Sequence, residues 1–476
     1  MSAFGEKIQT LMDKVETNNV WRQRESFNLI PSESTPSLLV KMCEISDPCG
    51  RYAEHRSMKG QEIYFYQGID FIKDVEDEAS RELCRFFNCS EVELRPISGQ
   101  MANEVVFKAV MRFLNRGRPE GQPMRRMRLV MNNALNNGGH LSSQPMGALF
   151  NYVEEDPSTG KEFVVNFPVL AENPYKPDTA KLADLLDQYR PELMVFGKSM
   201  FIYPEPVAFV KEIVQDWENP PVVMFDMAHV LGLYGAFQSP FEEGANVVTG
   251  STHKTFFGPQ RGLVAGNIPK GHPLRKLWIE IKGRAFPGST SNHHLGTLLG
   301  LLMASYEMNE FKEPYQKQVR NNAKAFAQAL KAKNIPVEGD PGDGYTSTHQ
   351  VLIRVDQFGS GMELARRLED NNIVCNYQAL PFDETFLKPS GIRIGVQEMT
   401  RFGMKEEDFD TLAGLMSEVL IQDKNVKEEV KAYRQNFLKM NFCLPADEAI
   451  PLVAKIWRSI FSHEPDIAAF IENLAG

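Results

Sequence analysis

The chain has 476 residues, too many for one compact core, so two or more domains are expected. Its 42% hydrophobic and 24% charged composition is that of an ordinary globular protein, and a net charge of −10 argues against nucleic acid or an anionic membrane as main partner. Six cysteines, at 43, 49, 84, 89, 375 and 443, show neither metal-ligand spacing nor a disulfide framework, so reduced thiols and no metal are expected. No basic segment followed by an apolar one opens the chain, and no apolar run reaches membrane-spanning length; a cytoplasmic protein is expected.

Residues 1–24 read as an amphipathic helix with Ile8, Leu11, Met12 and Val15 on one face, suited to packing on its own domain or on a second subunit. A short helix over 38–46 follows, then an irregular Tyr-, His- and Gly-rich stretch from Arg51 to Gly68. Asp70 to Phe87 is a helix by the spacing of Phe71, Val75, Ala79, Leu83 and Phe86. A short strand at Glu93 leads through a Ser-Gly turn at Ser98-Gly99 into a helix from about 101 to 115. Such a turn offers free N–H groups and a positive dipole end to a phosphate, though a serine there also serves simply as an N-cap.

Strands at 128–131 and 193–196 and helices at 178–189 and 205–217 continue the alternation, which indicates a mostly parallel α/β sheet. Residues 150–176 read as less regular, with a surface hairpin or loop at 156–160. A long helix or helix pair covers 296–333. A smaller α/β unit follows, with strands near 350–355, 373–376 and 391–395 and helices at 361–371 and 405–421. The stretch 423–476 is helical and carries no identifiable chemistry.

Two runs carry the chemistry. Val222-Val223-Met224-Phe225 ends on Asp226 and continues Met227-Ala228-His229; Val247-Val248-Thr249-Gly250-Ser251-Thr252-His253 delivers Lys254 and dissolves into a Gly/Pro loop. A strand ending in an acid beside a strand ending in a lysine is what a pyridoxal-phosphate site requires. The amine bonds to the cofactor aldehyde, and the acid keeps the pyridine nitrogen protonated. A solvated lysine after a buried strand fits the same short pattern.

Further segments occur in order: Asn28-Leu29-Ile30-Pro31-Ser32-Glu33-Ser34, Arg51-Tyr52-Ala53-Glu54, Ser98-Gly99-Gln100-Met101-Ala102-Asn103, Gly138-Gly139-His140-Leu141, the two just named, and Ser390-Gly391-Ile392-Arg393-Ile394-Gly395. Together they resemble serine hydroxymethyltransferase over about residues 20 to 421. Phe286-Pro287-Gly288, Ser291-Asn292-His293-His294 and Gln397-Glu398-Met399-Thr400 are closer to its archaeal-type branch, which is also similar to the threonine transaldolases. The resemblance implies an α/β protein of pyridoxal-phosphate fold type I, aspartate-aminotransferase-like. Its expected parts are an N-terminal arm over 1–60, a large cofactor domain over 61–295, a small C-terminal α/β domain over 296–422 and a helical extension over 423–476.

It also implies roles. Lys254 holds pyridoxal 5'-phosphate, Asp226 pairs with its ring nitrogen, His140 stacks on the ring, His229 lies near the 3'-oxygen, and His253 is a neighbour. Ser98, Gly99, Gln100 and Ser251 take the phosphate, and Ser199 is a cofactor-side serine. Lys198 beside it reads as solvated, and His272, His349 and His463 as surface or core histidines. Arg393 and Ser32 take the substrate carboxylate, for which a guanidinium fork is suited. Glu54 acts in proton transfer, followed by Tyr66. Tyr52, Ser291 and Asn292 reach across from a neighbouring subunit, implying a homodimer with shared active sites.

The implied reaction interconverts serine and glycine with tetrahydrofolate or a related reduced pterin. The chain departs from the family after Glu54, where His55-Arg56-Ser57-Met58-Lys59-Gly60 replaces a Gly/Pro segment. Phe382 stands where an asparagine is common, and Gln260, followed by Arg261, where an arginine is frequent. The alternative is a pterin-independent threonine aldolase or transaldolase that passes glycine to another aldehyde.

Overall fold

The structure, a computed structural model, describes residues 2–58, 61–119, 121–467 and 469. Lys59 and Gly60 of the departing loop, and the last residues of the 423–476 extension, lie outside the described residues. Two compact units are present: one from Ser34 to Glu313 together with the segment from Cys443, the other from the N-terminal segment through Glu33 together with Pro314–Phe442.

In the first unit the valine-rich runs become a seven-stranded sheet: β1 (Glu91–Glu93), β2 (Val130–Asn132), β3 (Val164–Asn166), β4 (Leu193–Phe196), β5 (Val222–Asp226), β6 (Val247–Ser251) and β7 (Gly262–Gly266). The spatial order is β1-β7-β6-β5-β4-β2-β3. From β6 to β3 the strands are parallel, while β7 runs antiparallel to both β6 and β1. The sheet is therefore mixed at one edge. Strands β4 to β7 are buried at every residue, which is why β4 and β5, up to Asp226, read as unbroken apolar runs rather than alternating ones.

Two strands of this sheet escaped the sequence pattern. β3 sits inside the stretch expected to be irregular, and β7 is a five-residue run bracketed by glycines behind a Gly/Pro loop. The helix Gly99–Leu114 lies across the sheet, with Val105, Val106, Phe107, Ala109 and Val110 packed against Val130, Val195, Met224, Val247 and Val264. Trp278 and Ile281 of the helix Arg275–Ala285 join the same core. Each large apolar side chain buried there stabilises by about 1.5–3 kcal/mol.

The helix Asp70–Phe87 forms as its spacing predicts, but Phe71 is 57% exposed; Ile72, Val75, Glu76, Ala79, Leu83 and Phe86 face inward. The stretch from Arg51 to Gly68, expected to be irregular, contains an antiparallel hairpin of His55–Met58 with Gln61–Tyr64. The helix Ala446–Ile460 of the C-terminal extension packs on the helix Leu38–Glu44.

In the second unit, β8 (Gln350–Arg354), β9 (Asn376–Gln378) and β10 (Gly391–Gly395) form an antiparallel sheet in the order β8-β10-β9. Helices Gly361–Asp370 and Asp408–Gln422 pack together beside it. Phe27–Asn28 pairs in parallel with Ile373–Val374, and the buried Arg434 donates from Nε to the Ser26 carbonyl at 3.0 Å. A single helix, Leu295–Ala332, occupies the region expected to hold one or two. The helix Ala3–Val20 buries no residue within this chain, and its apolar stripe of Phe4, Ile8, Leu11, Met12 and Val15 is exposed. Among the described residues no helix is long and apolar enough to cross a membrane.

Candidate active site

In an open α/β sheet, ligands gather where parallel strands end at their carboxyl termini. Here those ends carry His140 in the loop after β2, Lys198 and Ser199 after β4, Asp226 at the last position of β5, and Ser251 to Lys254 at and beyond the end of β6. Pairing of Asp226 with Thr249 sets the β5 and β6 termini two residues apart in register.

Asp226 is 2% exposed, and burial alone would push its carboxyl up. The His140 charge and hydrogen bond, the Asn103 amide and the Ala228 N–H reverse this and hold it below the usual range. His140 Nδ1 lies 2.5 Å from Oδ2, Asn103 Nδ2 donates to the same oxygen at 2.7 Å, and Ala228 N–H donates to Oδ1 at 3.0 Å. A carboxylate offers about four lone-pair sites, so Oδ1 retains room for one further donor such as a protonated ring nitrogen. Asn103 is fixed in turn by Thr249, which donates to its Oδ1 at 2.6 Å, and by a hydrogen bond to Ser142 Oγ.

Lys254 is 8% exposed, and its Nζ lies 3.2 Å from His229 Nε2. The His229 carbonyl accepts from Thr255 Oγ1 at 3.0 Å, which ties the loop after β5 to the loop after β6. The rings of His140 and His229 meet edge to face with centroids 5.6 Å apart. His253 is half-buried, and desolvation followed by the Lys254 charge lowers its pKa to about 4, so its imidazole is neutral at physiological pH.

Ser98 caps the helix Gly99–Leu114 by accepting from Met101 N–H at 3.1 Å. The first-turn amides of a helix have no intrahelical acceptor and suit an anion. Ser251 sits against this turn: a Cβ on Gly99 would lie 2.2 Å from Ser251 Oγ. A primary amine, an ionised carboxylate and a helix N-terminus with adjacent hydroxyl form the donor set that pyridoxal phosphate needs, so the residues fit it.

Ser199 N–H donates to the Gly138 carbonyl at 2.7 Å, and His140 N–H to the Gly197 carbonyl at 2.9 Å, which cross-links the loops after β2 and β4. Lys198, expected to be solvated, is 3% exposed and paired with Glu205 at 2.5 Å. Its side chain turns inward onto Glu205 of the same loop, which Asn133 holds at 2.9 Å. Arg261 is also inside, with its guanidinium donating to the carbonyls of Leu94, His293 and His294; burial lowers its pKa to about 10.

Tyr52, Glu54 and Tyr66 form a separate cluster. The tyrosine rings lie 5.3 Å apart, and Glu54, half-buried, hydrogen-bonds Tyr66, whose pKa rises through desolvation and this carboxylate. Asn292 Nδ2 donates to the Arg51 carbonyl at 2.8 Å, while Ser291 is exposed. The structure thus brings Asn292 to the Tyr52 segment.

Within the other unit, Ser32 lies in a turn closed by Glu33 N–H to the Ile30 carbonyl. Gln397 Nε2 donates to the carbonyls of Ile30 and Glu33, and a Cβ on Gly395 would lie 2.4 Å from Pro31 Cα, so only glycine lets β10 approach this turn. Arg393 on β10 is 8% exposed, and burial lowers its pKa to about 10. His349 is a core histidine bonded to the Pro31 carbonyl, His272 accepts from Leu274 N–H, and His463 is exposed. Phe382 is 51% exposed, with Arg354 5.7 Å from its ring centroid.

Sequence reasoning assigned no role to Asn103, Ser142, Thr249, Glu76 or Glu205. The first and third carried a signal: Asn103 stands one helical turn after Gly99, and Thr249 shares a strand face with Ser251.

A profile of the family described as Serine hydroxymethyltransferase matches residues 5–416. A serine hydroxymethyltransferase of Pyrobaculum islandicum is 35% identical over 459 residues, covering 96% of this chain and 98% of the relative. One from Archaeoglobus fulgidus is 37% identical over 433 residues, covering 90% and 91%. Among solved structures, an L-threonine transaldolase from Pseudomonas fluorescens matches with a TM-score of 0.78 at 24% identity, covering 95% of this chain and 98% of that one. That likeness bears on the fold, pyridoxal-phosphate fold type I.

Proposed function

The chain belongs to the serine hydroxymethyltransferase family of pyridoxal-phosphate-dependent transferases, and from that premise we propose that it interconverts serine and glycine with a reduced pterin. The observation that carries the reading is the buried Lys254 amine at the end of one strand, beside a strand ending in an Asp226 carboxylate held ionised by His140 and Asn103. Bound pyridoxal phosphate supplies an electron sink for a carbanion at the substrate Cα.

Lys254 anchors the cofactor through Nζ and then takes or gives a proton beside His229. Asp226 keeps a proton on the ring nitrogen, which its depressed pKa and unused Oδ1 site suit. His140, steered by Asp226, presents its ring as a wall. Ser98, Gly99, Gln100 and Ser251 receive the phosphate, Ser199 contributes from the loop after β4, and His253 stays neutral beside Lys254. Arg393 and Ser32 take the substrate carboxylate. Glu54, with Tyr66 on its carboxyl, moves the proton of the substrate hydroxyl as the Cα–Cβ bond breaks.

Tyr52, Ser291 and Asn292 lie on an exposed part of their unit, which supports their serving the site of a second copy. The uncovered apolar stripe of the N-terminal helix supports the same homodimer. A cytoplasmic enzyme follows from this reading. The paired strands His55–Met58 and Gln61–Tyr64 in place of a Gly/Pro segment, and the exposed Phe382, favour the second reading, an aldolase or transaldolase that needs no pterin.

The test is aldehyde release and glycine formation from serine and from threonine, with and without tetrahydrofolate. Pterin-dependent serine cleavage supports the first reading. Pterin-indifferent threonine cleavage, with glycine captured by added aldehydes, replaces it with the second. Lys254→Ala should abolish both activities and the absorbance of lysine-bound cofactor; survival of either would end both readings.

A further inference from the structure

Glu76 lies on the inward face of the helix Asp70–Phe87, among Ile72, Val75, Ala79 and Leu83. A carboxylate among apolar neighbours is costly unless partnered. Its partners are two imidazoles from distant parts of the chain. His293 Nε2 lies 2.6 Å from Oε1, and His55 Nε2 lies 3.1 Å from Oε2. Tyr64 donates to Oε2 at 3.3 Å and stacks on the His55 ring at 4.6 Å.

Each imidazole directly follows a residue of the proposed site in sequence. His55 comes after Glu54, and His293 after Asn292. The loops are also joined where Asn292 donates to the Arg51 carbonyl, but that contact is at an exposed edge. Glu76 is the buried point at which both are fastened. Burial alone would raise its carboxyl; the hydrogen bond from His293 and the nearby His55 imidazole instead hold it down at about 2, so it is anionic whenever the protein is folded near neutrality.

We propose that Glu76 is a positioning residue that couples two loops, holding Tyr52, Glu54 and Tyr66 on one side and Ser291 and Asn292 on the other in a single register through His55 and His293. What the positioned residues do rests on the hydroxymethyltransferase reading; the coupling itself does not. Packing alone could fix either loop. The His55 and His293 rings also meet edge-on with centroids 6.3 Å apart, and Asn292 bonds the Arg51 carbonyl, so Glu76→Gln, which leaves both contacts in place, is the variant that isolates the anchor. His55 and Glu76 also both line a cavity of about 400 Å³, so removing the His55 side chain leaves room for a small imidazole to reach Glu76.

The experiment uses the holoenzyme and compares wild type with Glu76→Gln, His293→Leu and His55→Ala. Amide hydrogen exchange is followed in segments 51–66 and 289–295, alongside cofactor absorbance and kcat and KM for serine cleavage. The expected result is exchange faster by about tenfold in both segments for Glu76→Gln. His293→Leu should raise exchange in 51–66 as well. Turnover should fall in kcat more than in KM with the cofactor absorbance kept, and added imidazole should restore part of the His55→Ala loss. Faster exchange confined to the mutated loop overturns the coupling, as does His55→Ala activity indifferent to imidazole. If Glu76→Gln fails to fold, His293→Leu and His55→Ala decide alone. If wild type cleaves no serine, the functional reading falls while the exchange data still judge the coupling.

Discussion

His140 Nδ1 lies 2.5 Å from Asp226 Oδ2, so the loop after β2 and the end of β5 are joined through a buried carboxylate. The same oxygen takes the Asn103 amide, and that amide depends on Thr249. One ionised oxygen therefore collects four elements of the first unit at the site. Orientation of the His140 ring and the charge state of Asp226 have a common origin.

Asn103→Leu removes a donor from this carboxylate without altering its partners' backbone. An ionised group losing one buried hydrogen bond costs about 1–3 kcal/mol. Urea unfolding of the cofactor-free protein should show that loss, and the affinity for pyridoxal phosphate should fall as well. Asp226 sits below its ordinary range in the folded state, so its contribution is complete above about pH 4 and is lost as pH falls further. Asn103→Leu should narrow that acid dependence. An unchanged pH profile would show that His140 alone holds the charge.

Lys198 and Glu205 are both nearly inaccessible and 2.5 Å apart. Lys198→Met leaves Glu205 without its counter-ion in the interior, which costs about 3–5 kcal/mol. Lys198→Met combined with Glu205→Leu should recover much of that loss, because the cost lies in the stranded charge rather than in the missing pair. A double-mutant cycle by denaturant unfolding measures this. Equal loss in the single and double variants would mean the lysine acts through packing.

The sequence showed the strand ends that carry Asp226 and Lys254, because a run of β-branched residues stopping at a polar one is a local signal. It also showed the Asp70–Phe87 helix, whose ends fall where expected. Inward-facing charge was invisible. Lys198 looked like any surface lysine, since its partner lies seven residues on in the same connecting loop and only the folding of that loop brings them together. Glu76 occupies a helical position whose neighbours are apolar, yet its partners come from 21 residues before and 217 residues after it. β3 was missed because its Val164-Val165 pair is half-exposed and set in a polar stretch, and β7 because glycines bracket an apolar core of only Leu263-Val264-Ala265.

Gly99 opens its helix with no room for a side chain, the site of a Cβ lying 2.2 Å from Ser251 Oγ. Gly99→Ala must push the hydroxyl or the helix start away, disturbing both groups proposed for the phosphate. Affinity for pyridoxal phosphate should drop about tenfold or more, equivalent to about 1.4 kcal/mol. The proposed lysine chemistry should persist at saturating cofactor. Titration of the cofactor-free protein followed by absorbance tests this, and an unchanged affinity would move the phosphate away from this turn.

Glu76 predicts how stability answers to acid. Its folded pKa of about 2 lies below the ordinary value of 4.5, so the folded state binds fewer protons than the unfolded chain. Its contribution is complete above about pH 4.5 and drains away as pH falls toward 2. His293, lowered chiefly by burial, also disfavours acid, with an effect that sets in below its ordinary 6.5. His55 works the other way. Glu76 lifts its pKa against the pull of burial, so its contribution holds below 6.5 and is lost as pH rises through the folded value. Glu76→Gln removes the first effect and weakens the lift on His55. Urea midpoints should therefore fall less steeply for the variant below about pH 4.5, where Glu76 protonates, and more steeply between about pH 8 and pH 5, where His55 no longer offsets the acid loss at His293. Parallel curves, displaced but equal in slope, would mean that the carboxylate's charge is not what fastens the two histidines.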